Sequence, residues 1–139
     1  DSGHIFKYIG HEEESQKIAK EWLTKEQYPT EKISQVLAFI GVTQLPQQPK
    51  NLLEQIMCDS DLYHLSLDEY CHLQFQLREE FKRIFKKEYN DVTWMKENVA
   101  FVNKHKYFTD YGQSVLEKRK QRNEAKCAQL LEEYQKVNH

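Results

Sequence analysis

The chain is poor in the residues that interrupt or staple a fold. Its 139 residues include only four glycines, three prolines and three cysteines. There is no glycine-rich phosphate loop, no Gly-x-Ser-x-Gly elbow and no His-Glu-x-x-His pair, which excludes those enzyme classes. The cysteines, Cys58, Cys71 and Cys127, are odd in number and widely separated, and each sits in helical sequence. No Cys-x-x-Cys spacing exists for zinc or redox work, so buried reduced thiols are expected. Long hydrophobic runs are missing too: the longest, Val36 to Val42, is far too short to span a bilayer, and no signal-peptide pattern opens the chain. An excess of one charge is also lacking. Twenty Lys and Arg against 22 Asp and Glu leave a formal net charge of −2, a field too weak to suggest a polyanionic partner. The expectation is a soluble, cytoplasmic protein with neither a membrane nor a nucleic-acid partner.

What the sequence does contain is helical periodicity almost throughout, with no sustained apolar and polar alternation of the kind a half-buried strand shows. An all-α fold of about five to six helices, forming a single domain over residues 1–139, is predicted. A first helix is expected from His11 to Gln27, with Ile18, Ala19, Trp22 and Leu23 facing inward and Glu12, Glu13 and Glu14 at its positive end. Pro29 ends it, and Thr30 is expected to cap a second helix whose buried face is Ile33, Val36, Leu37 and Ile40. The prolines of the 44–49 segment predict a loop before a third helix over 51–62.

Ser66-Leu67-Asp68-Glu69 has the spacing of a capping box and is expected to open a long helix through Tyr70, Leu73, Leu77, Phe81, Ile84 and Phe85. Asp91 is expected to cap the next, with Val92, Met95, Val99 and Val102 inward. A last helix, over 114–135, has few apolar positions before Leu130, so its middle is predicted to face solvent. The basic runs at 82–87 and 118–122 are interrupted by glutamates and read as solvated helix faces.

Three phrases carry chemistry: Asp1-Ser2-Gly3-His4 at the start, then Gly10-His11-Glu12-Glu13-Glu14-Ser15, then Cys58-Asp59-Ser60-Asp61-Leu62. Carboxylate oxygen and imidazole nitrogen are the donors that a hard or borderline divalent metal takes when it activates water, and Asp1, His11 and Asp61 are the right types. Asp59 lies two residues from Asp61, about 200° away around a helix, and suits a structural role better. Ser15, one turn after His11, could orient its ring or face solvent.

Taken together, the phrases resemble the HD-superfamily metal-dependent phosphohydrolases, in which a histidine-aspartate doublet, a downstream histidine and a late Asp-x-Asp-Leu segment converge on a metal. The resemblance spans residues 1–109 or so. It implies an HD-like helical domain that hydrolyses a small-molecule phosphate ester, a nucleotide or another phosphorylated metabolite, with a divalent ion (manganese, iron, nickel, magnesium or zinc). By position it implies Asp1 and Asp61 as metal ligands and His11 as a ligand or proton donor, so that His11 and Asp61 are the catalytic pair. Thr43 stands where several subgroups carry a further histidine, which implies one metal rather than two. His105-Lys106-Tyr107-Phe108-Thr109 with Arg119 and Lys120 implies cations for the substrate phosphate. No motif covers His64 or His72, for which packing or exposure is expected.

The resemblance also implies a histidine just before Asp1 and an earlier helix with another, so the chain starting at Asp1 is expected to fold but to be impaired. The competing expectation is a non-catalytic module of the same fold that binds a nucleotide or a protein partner.

Overall fold

The computed structural model describes residues 1–137. The described residues hold six α-helices joined by short 3-10 and π turns and contain no strand, as the periodicity predicts. The chain divides into two compact units, residues 1–61 and 62–139.

The first unit opens with a 3-10 turn, Ser2–Ile5, followed by α1 (His11–Lys25), α2 (Thr30–Val42) and α3 (Leu52–Asp61). Gly10 precedes α1 at φ 78°, a left-handed conformation that a side chain would strain, and this turn aims the chain into the helix. Glu12, Glu13 and Glu14 occupy the first turn beside the positive helix end. The inward face of α1 is centred on Ser15, which is buried, with Ile18, Ala19 and Leu23 half-buried behind it. Trp22, expected in that stripe, is 64% exposed. The turn that covers this face lies against His11, Glu14 and Ser15, so its cover is at the start of the helix rather than near Trp22.

On α2, Ile33 is buried and Val36, Leu37 and Ile40 are half-buried, as predicted. Thr30 makes no cap; it is the first helical residue, and Pro29 holds the cap position without a side-chain acceptor. The start of α3 is different. Asn51 Oδ1 accepts from the Glu54 amide at 3.0 Å, while Glu54 Oε2 accepts from the Lys50 amide at 2.6 Å. Asn51 thus caps the first turn, and Glu54 reaches back one residue further than in a capping box, to the amide of Lys50 rather than that of Asn51.

The second unit carries a 3-10 turn, Tyr63–Ser66, then α4 (Tyr70–Phe85), α5 (Asp91–Lys104), a π turn at Gly112–Leu116 and α6 (Glu117–Val137). The capping box predicted at Ser66 does not form: Ser66 is buried, its hydroxyl donates back to the Tyr63 carbonyl at 2.8 Å, and Leu67 is extended, so α4 starts only at Tyr70. The α5 cap is Asn90, whose side chain accepts from the Thr93 amide at 2.8 Å. Asp91, expected there, pairs instead with Arg78 at 2.7 Å.

Leu62, Leu65, Tyr70, Met95, Val102 and Cys127 form the core of this unit. The predicted solvent-facing middle of α6 is overturned, because Lys120, Asn123 and Cys127, spaced at three and four residues, are all buried. Polar side chains do the inward work here. Asn123 Nδ2 donates to the Leu65 and Leu67 carbonyls at 2.8 and 2.7 Å, and Lys120 Nζ donates to the His105 carbonyl. An apolar count cannot see a face built this way.

Candidate metal centre

His11 is the first residue of α1, and its Nδ1 lies 2.9 Å from the Tyr8 carbonyl. A carbonyl only accepts, so Nδ1 carries the proton and the lone pair is left on Nε2. A backbone carbonyl behind the ring is the usual support of a metal-binding histidine. Nε2 lies 3.8 Å from Asp1 Oδ1 and 3.5 Å from Glu12 Oε1. The His4 ring stacks on that of His11, centroids 3.6 Å apart and planes 19° from parallel. One donor atom from each of Asp1, His4 and His11 falls within 4.8 Å of the other two.

The local sequence dictates this closeness. A Cβ on Gly3 would sit 2.0 Å from the His11 carbonyl oxygen and 2.7 Å from the Ser15 amide nitrogen, so only glycine lets the N-terminal turn lie on the start of α1. Ser15 neither faces solvent nor reaches the His11 ring; its buried hydroxyl accepts the Gly3 amide at 2.9 Å. Through that contact it holds the turn that carries Asp1 and His4 near His11.

A cavity of about 280 Å³ in this unit is lined by Asp1, His11 and Glu12 on one side and by Thr43, Ser60 and Asp61 among others on the rest. Asp61, at the end of α3, is exposed, and Gln47 from the two-proline loop donates to its Oδ2 at 2.9 Å. Loss of hydration holds the Asp61 carboxyl above its ordinary range; the Gln47 hydrogen bond and His11 pull it down, and Glu12 pushes it up again. Asp59 is buried and does not line the cavity, consistent with the half-turn of helix between it and Asp61. Thr43 does line it, its hydroxyl donating to the Ile40 carbonyl at 2.8 Å.

The other predicted residues lie in the second unit. Lys120 is not a surface cation: it is fully buried, bonded to the His105 carbonyl and paired with Glu117 at 2.9 Å. Arg119 is half-buried on α6. His64 is half-buried, and exposed His72 lies 3.0 Å from Gln76.

No protein-family model, curated protein or solved structure matches the chain. The site is therefore described by its own geometry. Of the residues singled out as site residues in the sequence, Asp1, His11 and Asp61 line the cavity; His4, Glu12 and Gln47 were not among them. His4 and His11 are seven residues apart with Gly10 between them, a spacing that signals a turn back onto the helix start. For Gln47 no local signal exists, since its partner is 14 residues away.

Imidazole nitrogen and carboxylate oxygen are a donor set suited to a divalent first-row metal. The one cysteine of this unit is not part of it: Cys58 is buried, and its thiol donates to the Val42 carbonyl at 3.5 Å. Among the described residues no helix is long and apolar enough to cross a membrane.

Proposed function

We propose that the first unit is a metal-dependent phosphohydrolase site of the HD type, in which Asp1, His4 and His11 hold one divalent ion and Asp61 faces it from α3. The observation that carries this reading is the meeting of those three donors within 4.8 Å. Two imidazoles in the set favour manganese, iron, nickel or zinc over magnesium. A bound ion of this kind supplies water of lowered pKa and offsets charge on a phosphoryl group. The protein's own contribution is orientation. The Tyr8 carbonyl sets the His11 tautomer, Ser15 fixes the turn that carries Asp1 and His4, and Gln47 holds Oδ2 of Asp61. The cavity beside them is of a size for a small phosphate ester, and Glu12 on its wall is placed to accept a proton.

Calorimetric titration with manganese tests the metal reading, with one ion per chain expected and loss of binding in His4→Ala and His11→Ala. A panel of nucleotides and phosphomonoesters then tests hydrolysis by metal-dependent phosphate release. If the ion binds and no ester is turned over, the domain is a non-catalytic binding module. If no first-row metal binds, the reading fails altogether.

A further inference from the structure

We propose that Cys71 and Cys127 form a reversible disulfide when the protein meets a peroxide. Both are free thiols of the second unit, Cys71 in the first turn of α4 and Cys127 midway along α6, and these two helices pack on one another. Cys71 packs against the core cluster to which Cys127 belongs. Cys71 is also among the neighbours that act on the Cys127 thiol. Two cysteines that share one packed core on neighbouring helices are the pair of this unit that side-chain rotation can bring together.

The pair is asymmetric in the way such chemistry requires. Cys71 is half-exposed, whereas Cys127 is fully buried. Burial, and then Cys71, push the Cys127 thiol up to about 12, so it does not meet an oxidant as thiolate. Cys71 is therefore the attacking sulfur. Its thiolate takes one peroxide oxygen, the O–O bond breaks, hydroxide leaves, and Cys71 becomes a sulfenic acid. The Cys127 sulfur then attacks the Cys71 sulfur; the S–O bond breaks, and the departing oxygen carries off the Cys127 proton as water. In sum two thiols are oxidised and one peroxide is reduced to two waters. A dithiol reverses the bond by exchange and leaves as its own disulfide. Closing the chain from 71 to 127 ties α4 to α6 and restricts the unfolded chain, so the oxidised form is the more heat-stable.

The test uses the full chain treated with one equivalent of hydrogen peroxide, alkylated in denaturant and mapped by peptide mass. The expected result is a Cys71–Cys127 linked peptide, a thiol titre falling from three per chain to one, a higher Tm, and full reversal by dithiothreitol. Cys71→Ser, at a half-exposed position, should fold normally, leave Cys127 reduced, and show no Tm shift with peroxide. Sulfinic acid at Cys71 with Cys127 still free would overturn the proposal. So would linkage through Cys58, or a Cys71-to-Cys71 dimer.

Discussion

Gly3 and Ser15 are joined by a buried hydrogen bond of 2.9 Å, and the backbone of α1 leaves no room for a side chain at Gly3. Gly3→Ala should therefore lift the N-terminal turn off α1, at a cost on the order of 1–3 kcal/mol. Ser15→Ala leaves a buried amide without its acceptor and should cost about 1–3 kcal/mol. Urea midpoints measure both. The two variants should also weaken manganese binding, although neither residue is a ligand.

Asp61→Asn separates function from stability. The folded-state pKa of Asp61 lies above its ordinary value, so the ionised carboxylate is disfavoured on folding at neutral pH, and that cost is relieved as pH falls. Removing the charge should leave Tm unchanged or slightly raised, since solvent access at Asp61 keeps the effect small. Metal-dependent phosphate release should be lost. A large fall in Tm would show that the carboxylate is structural.

Gln47 orients Asp61 from a loop, so its removal should act through geometry. Gln47→Leu is expected to lower manganese affinity by about tenfold or more, while Gln47→Glu, which cannot donate when ionised, should do no better. Titration calorimetry reads the affinity, and circular dichroism checks that the helices remain.

The buried Lys120 and Glu117 pair belongs to the stability of the second unit. Lys120→Ala leaves Glu117 without its buried partner and should cost about 3–5 kcal/mol, whereas Arg119→Ala should cost far less. Burial pushes the Glu117 carboxyl up, but Lys120 and Lys106 outweigh it, and the net shift is below the ordinary value of 4.5. A depressed folded-state pKa means stability that is present above the ordinary glutamate range and lost as pH falls through the folded value. Thermal scans between pH 6 and 3 should show this loss, and it should shrink in Glu117→Gln.

Much of the helical plan was legible because it depends on near neighbours. The stripe Ile33, Val36, Leu37 and Ile40 and the start of α1 after Gly10 follow from spacing and turn chemistry alone. Capping was misread where a competing partner existed. Ser66 matches the box pattern but spends its hydroxyl on Tyr63, while Asn51, with Glu54 at the same spacing, caps its helix by accepting the Glu54 amide.

The sequence by itself determined that this protein is helical and that Asp1, His11 and Asp61 are donors of the right kind, since residue type and a period of 3.6 are local properties. Only the tertiary structure decided which donors meet. His4 stacks on His11 because Gly3 can touch α1, and Gln47 reaches Asp61 because the two-proline loop returns to the end of α3. It likewise turned Lys120 from an expected surface charge into a buried one. Contacts between residues distant in sequence depend on how helices pack, and no periodicity within a single helix encodes that.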